Sequence, residues 1–192
     1  MGNDTGGAIC QVVAAGHPER LGALVLTNCD AFEAFPPRAF KPLVAAAKVP
    51  GGLRAALAPM RSAAVRRSPL GFGLLSHGDV DHLAGRWVEP VFTQRRVLED
   101  LRRFTAAIDP SVTLDVAARL PGFARPVLLA WALDDRLFPL KLAQRLAATL
   151  PDARLETIED PRAFSMLDQP DRLAALIGEF ALQRSAAGHA IR

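Results

Sequence analysis

Residues 2–7, Gly2-Asn3-Asp4-Thr5-Gly6-Gly7, constrain the fold of this chain more than any other segment. Gly2 and Gly6 flank Asp4 at the spacing of a sharp strand-to-helix turn. In such a turn the central residue is strained, and the residues two before and two after it must lack side chains. A chain built around this turn is committed to a strand on one side and a helix on the other. The Asp4 carboxylate then projects above a sheet, beside the positive end of the helix, where an anion is favoured. A carboxylate so placed can act as a nucleophile that forms an ester later cleaved by water, with the Thr5 N–H as one oxyanion donor. The simpler reading of the same residues is a helix cap behind a glycine turn.

The rest of the chain reads as three zones. In residues 1–29, Ile9, Val12, Val13 and Gly16 recur at helical spacing, which predicts a mostly buried helix over 7–15, stopped by Gly16-His17-Pro18. The short run Ala23-Leu24-Val25-Leu26 predicts a buried parallel strand ending before Asn28. Residues 30–120 have another texture. Proline and glycine pairs such as Pro36-Pro37 and Gly51-Gly52 chop them into short helices, with one amphipathic helix carrying Val97, Leu101, Phe104 and Ile108. The arginines on its other side, Arg95, Arg96, Arg102 and Arg103, read as a solvated face. Residues 121–183 return to α/β order. Val127-Leu128-Leu129-Ala130-Trp131 predicts a buried strand, Leu140 to Leu150 a helix, Arg154 to Ile158 an edge strand, and Leu173, Leu176, Ile177 and Phe180 a last helix. Residues 184–192 read as a frayed tail.

Composition narrows the class. The chain has 192 residues, is 50% hydrophobic and carries a formal net charge of +3, with basic and acidic residues interspersed. That balance gives no nucleic-acid footprint, and no apolar run approaches membrane-spanning length. Cys10 and Cys29 are too few for a disulfide framework and lack metal-site spacing, so both read as small buried hydrophobes and a reducing cytoplasm is expected.

Taken in order, the Gly2-to-Gly6 turn, its helix, His17-Pro18-Glu19-Arg20 and Leu24-Val25-Leu26 resemble the α/β-hydrolase superfamily. More narrowly they resemble its Asp-nucleophile branch, which includes haloalkane dehalogenases and epoxide hydrolases. The strand at 127–131 followed by Asp134-Asp135-Arg136-Leu137-Phe138-Pro139 resembles the loop that delivers the acid of the triad. The resemblance assigns that role to Asp135 and leaves Asp134 to bond nearby backbone. Asp30 and Glu33 stand where some dehalogenases carry an alternative acid, and with Asp135 available they read as hinge residues of the insert. Phe32, Phe35 and Phe40 read as packing of the insert or the wall of an apolar pocket.

Three positions depart from that pattern. The histidine of the family falls at Ala163, and His17, His77, His82 and His189 stand in other registers. Residue 5 is Thr, where haloalkane dehalogenases carry a halide-stabilising Trp; Trp131 belongs to a core strand, and the other tryptophan is Trp87. The strands that precede the turn in the superfamily have no counterpart before Met1.

The expectation is therefore a partial α/β-hydrolase fold: a mostly parallel sheet with flanking helices and an inserted helical lid. Its pieces are core at 1–29, lid at 30–120, core at 121–183 and a tail at 184–192. The expected function is hydrolysis of a small apolar ester, epoxide or halide by Asp4 and Asp135, with Thr5 in the oxyanion hole and no metal or organic cofactor. The alternatives are a catalytically silent ligand-binding relative and the C-terminal part of a longer hydrolase.

Overall fold

The computed structural model describes residues 1–189. Strand β1 (Gly2–Asn3) leads without a loop into helix α1 (Asp4–Gly16), and β2 (Leu24–Cys29) follows. Short helices α2 (Lys41–Ala47), α3 (Gly52–Leu57) and α4 (Ala63–Arg67) precede α5 (Asp81–Thr93), α6 (Arg95–Ala106) and α7 (Pro110–Arg119). The chain then returns through β3 (Val127–Ala132), α8 (Leu140–Thr149), β4 (Ala153–Ile158), α9 (Ser165–Asp168) and α10 (Pro170–His189). The four strands form one parallel sheet in the order β1-β2-β3-β4.

Burial follows the strand order. All six residues of β3 are buried, as an unbroken apolar run at the centre of a parallel sheet requires. Val127, Leu129 and Trp131 face a core shared with α8, the end of α7 and the loop at Phe123. Leu128 and Ala130 point the other way, under Leu173, Leu176 and Phe180 of α10. Each of those three side chains contributes about 1.5–3 kcal/mol by leaving water. β4 is an edge strand of this sheet and is only partly buried, the position predicted for it.

The structure revises several sequence expectations. β2 does not stop before Asn28 but continues to Cys29, because its polar residues are used inside the sheet. The Asn28 amide donates to the Ala132 carbonyl at 3.1 Å and accepts from the Ala132 N–H at 2.7 Å, extending the β2–β3 ladder with a side chain. Helix α1 buries Gly7, Ala8, Gln11 and Ala14, whereas Ile9 and Val12 are exposed. The predicted buried face is therefore rotated. Small residues win it because α1 lies close against β2: a Cβ on Gly7 would sit 2.3 Å from that of Cys29. Gly6, by contrast, faces open space, so the steric demand anticipated for it falls on Gly7.

Further along, α6 ends at Ala106 and leaves Ile108 in the following turn. Helix α7, numbered with the lid in the sequence division, packs against α1 and sends Val116 into the sheet core. Cys29 is buried as expected, while Cys10 is half-buried. The last helix continues to His189, past the predicted onset of fraying. The remainder of the expected tail, 190–192, lies outside the described residues. Among those residues no helix is long and apolar enough to cross a membrane.

Candidate active site

Asp4 occupies the turn between β1 and α1 with φ at +51°. This is left-handed backbone that a non-glycine residue adopts only when its surroundings impose it. The surroundings are specific. The Asp4 carbonyl accepts from the Asp30 N–H at 3.3 Å, and an isolated parallel bridge joins Asp4 to Cys29. Gly2 must be glycine here, because a Cβ would lie 2.6 Å from the Gly6 carbonyl oxygen and 2.7 Å from the Gly7 Cα. The Asn3 side-chain nitrogen lies within hydrogen-bonding distance of Thr27 Oγ1, the Asn28 carbonyl and the Ala163 carbonyl. One amide thus holds the turn to β2 and to the 160–164 loop.

The Asp4 side chain opens into a cavity of about 190 Å³. Asp4, Thr5 and Asp30 form its polar floor. Its walls are Pro36, Pro37 and Phe40, then Leu43 and Val44 of α2, Leu101, Phe104 and Thr105 of α6, and Ile108. Of the three phenylalanines considered from sequence, Phe40 lines the cavity, and Phe32 and Phe35 are buried. No lysine, arginine or histidine is among the lining residues. Burial pushes the Asp4 carboxyl above its ordinary range, against the pull of hydrogen bonds from the Thr5 N–H and hydroxyl.

Asp30 is the residue that sequence reasoning placed wrongly. It is not a hinge but part of the cavity floor, 1% exposed. The Thr5 hydroxyl stands 3.0 Å from Asp30 Oδ2 and 3.4 Å from Asp4 Oδ1, and so lies between the two carboxyls. Asp30 Oδ1 is buried without a hydrogen-bond partner. Burial first and the Asp4 charge second push its carboxyl up to about 7, against the Thr5 hydrogen bond. The signal in the sequence was its position directly after β2, on the same end of the sheet as Asp4. Glu33 behaves differently: it is exposed and pairs with Arg145 at 2.7 Å.

Asp135 follows β3 on the adjacent strand end. Its Oδ1 accepts from the Leu137 N–H at 2.7 Å and the Phe138 N–H at 3.3 Å, while Oδ2 is buried and unpartnered. Burial raises this carboxyl too, with the Asp4 charge as a lesser contribution. Asp134 does not bond backbone as expected. It pairs with His77 at 2.8 Å and approaches Arg162 at 3.6 Å, because its side chain faces the insert rather than its own loop.

Ala163 is completely buried, and its loop serves as a latch for the insert. Phe164 N–H donates to the Leu75 carbonyl at 2.8 Å, and Arg162 donates to the Gly73 carbonyl. Asp168 accepts from the Ser76 hydroxyl at 2.5 Å and from the backbone N–H groups of His77 and Arg162, each at 3.1 Å. His77 therefore lies in an open groove with Asp134 and Asp168, not in the cavity above Asp4. His17 caps the end of α1 beside Glu19, and His82 is exposed at the start of α5. Trp131 is buried in β3 and Trp87 packs on Phe72 and Phe164, so neither tryptophan lines the cavity. Among the described residues no cluster of side chains has the make-up of a metal site.

The sequence profile of the alpha/beta hydrolase fold matches residues 1–170. The chain belongs to the alpha/beta hydrolase family. Within that family it is 28% identical over 190 residues to haloalkane dehalogenase 2 of Mycobacterium tuberculosis, covering 93% of this chain. It is 26% identical over 203 residues to 2-hydroxy-6-oxo-6-phenylhexa-2,4-dienoate hydrolase of Comamonas testosteroni, covering 96% of this chain. The alpha/beta hydrolase chain spans 62% of the length of each of these relatives. Among solved structures, the 2-hydroxy-6-oxo-6-phenylhexa-2,4-dienoate hydrolase of a Rhodococcus species superposes with a TM-score of 0.70 at 18% identity, over 93% of this chain and 61% of that one. A serine hydrolase from Cycloclasticus zankles gives the same TM-score at 17% identity, over 93% and 62%. Both report the fold.

Proposed function

We propose that this alpha/beta hydrolase chain is a hydrolase whose nucleophile is Asp4, acting on a small, largely apolar epoxide, halide or ester. The observation that carries the reading is the Asp4 carboxylate at φ +51°, half-buried in the polar floor of a cavity whose walls are largely apolar. Strained backbone at a strand-to-helix turn holds a reacting group in one orientation. The start of α1 favours the carboxylate there and supplies the Thr5 N–H for an oxyanion. In this reading Asp135 is the acid of the family arrangement, its free Oδ2 facing buried surroundings. The relatives named for haloalkanes and for a phenylhexadienoate support a small carbon skeleton as substrate, and a cavity of about 190 Å³ suits one of few heavy atoms.

Incubation with a primary alkyl bromide or a terminal epoxide, followed by peptide mass spectrometry, tests the reading. The expected result is covalent labelling of the peptide containing Asp4 and loss of label and turnover, to background, in Asp4→Asn. Unchanged labelling in that variant removes Asp4 from the mechanism. A second reading, a silent ligand-binding relative, is favoured by one observation. Ala163 stands in the histidine position, and its loop is committed to latching the insert. Reversible binding of the same probes without any adduct is its expected signature.

A further inference from the structure

We propose that Asp30 is the acid–base residue of this site, cycling one proton with substrate and water in place of the absent imidazole. The inference rests on Asp4 as nucleophile. Three geometric facts carry it. Asp30 lies in the floor of the same cavity as Asp4. The Thr5 hydroxyl stands between the two carboxyls, at 3.0 Å and 3.4 Å. Asp30 Oδ1, in a side chain that is 99% withdrawn from solvent by its 1% exposure, has no partner of its own.

The charges around Asp30 suit the role. From α1 it faces the Asp4 carboxyl and the Thr5 hydroxyl, and from β2 the buried Cys29 thiol. From α6 the cavity receives only Leu101, Phe104 and Thr105. With no cation among these groups, two carboxylates in one floor share a proton more readily than both ionise. Burial first and the Asp4 charge second hold Asp30 at about 7, the range in which a group both donates and accepts near neutrality.

The cycle balances without a co-reactant. Asp30 starts protonated and Asp4 ionised. An Asp4 oxygen bonds to an epoxide carbon, the ring C–O bond breaks, and the ring oxygen takes the Asp30 proton. Asp30, now a carboxylate, removes a proton from water as the water oxygen bonds to the ester carbon of Asp4. Collapse of that adduct breaks the bond between the ester carbon and the alkyl oxygen. The departing alkoxide takes the proton from Asp30, and the proton left on Asp4 returns to Asp30 across Thr5. The net change is epoxide plus water to diol. With an alkyl bromide the first step expels bromide and takes no proton, so Asp30 first releases its proton to solvent. The hydrolytic half is then the same, and the net change is alkyl bromide plus water to alcohol, bromide and a proton.

That difference makes the bromide the discriminating probe. The full chain and its Asp30→Asn variant are each treated with a primary alkyl bromide at pH 7.5, and the mass of the Asp4 peptide is followed with time. The expected result is that both are labelled at similar rates, that wild type loses the label, and that Asp30→Asn keeps it at least 100-fold longer. A wild-type adduct whose decay rises with pH and levels by about 7 supports the same assignment, because the ester lacks the Asp4 charge that helps to raise Asp30 in the free chain, and does so even if the variant fails to fold. Equal clearance by variant and wild type, a wild-type adduct that never clears, or decay flat from pH 5 to 9 each overturn the role of Asp30 while leaving Asp4 as nucleophile. No label on wild-type Asp4 overturns the nucleophile itself.

Discussion

At the scale of residues, the two adjacent glycines that follow Asp4 make different demands. Gly7 faces Cys29 with no room for a Cβ, whereas Gly6 faces open space. Gly7→Ala is expected to cost about 2–4 kcal/mol through overpacking and backbone shift. Gly6→Ala, inside the first turn of α1, is expected to be neutral or to stabilise by up to about 1 kcal/mol. Denaturant midpoints of the two variants check this, and equal loss in both would contradict the close approach of α1 to β2. Asp30 has a separate signature. Its carboxyl is raised from 3.8 to about 7 in the folded chain. The folded state therefore holds this proton more tightly than the unfolded state. The stability it contributes is complete below about pH 4 and is lost as pH rises through about 7. Asp30→Asn removes the ionisation, so the variant is expected to melt higher than wild type at pH 8, by several degrees, and the gain should vanish near pH 4. Melting curves across that range measure it; a gain that persists at pH 4 assigns the effect to packing instead.

At the scale of elements, side chains finish what backbone pairing begins. Asn28 bonds both polar groups of Ala132, so Asn28→Ala strands two buried backbone groups and is expected to cost about 2–5 kcal/mol. Thermal unfolding checks it. The latch at Asp168 joins α9 to the segment before α5. Asp168→Ala is expected to raise amide exchange at residues 75–78 at least tenfold while leaving β3 protected, a pattern hydrogen exchange resolves by peptide. What the sequence disclosed at this scale follows from period and punctuation. The β3 run, the β4 edge strand and the start of α10 at Pro170 were legible because burial on two faces, on one face, or behind a proline writes a distinct pattern. The end of β2 was not, since Thr27 and Asn28 look like turn residues until their partners on Asn3 and Ala132 are known. The face of α1 was misread for a related reason: Ile9 and Val12 outrank Gly7 and Ala8 in hydrophobicity, but only small residues allow the approach to Cys29. Asp4 was singled out by the spacing of its glycines and Asp135 by resemblance, whereas the place of Asp30 in the cavity floor depends on the Thr5 contact, which no linear spacing encodes.

At the scale of the whole molecule, one side of the sheet differs from the other. β4 is backed by α8 and α10. Among the described residues β1 pairs only with β2, and Ile9 and Val12 stand exposed on α1. A free edge beside exposed apolar side chains attracts other strands and surfaces. Concentration-dependent self-association is expected, and Val12→Lys should weaken it at least severalfold in sedimentation or light scattering.

The contact between β2 and β3 has a consequence in time. Asn28 and Ala132 touch across a separation of 104 residues, while β3 and β4 are joined by a single helix. Loop closure over the whole insert must therefore precede the pairing of β2 with β3, whereas Asp30 is set beside Asp4 by contacts within residues 4–30. The half containing β3, α8, β4 and α10 and the unit of β1, α1 and β2 can each assemble from local contacts, and the pairing of β2 with β3 that joins them forms last. Refolding followed by two probes should separate them: Trp131, in the early half, reports before any signal that depends on the Asn28–Ala132 pairing.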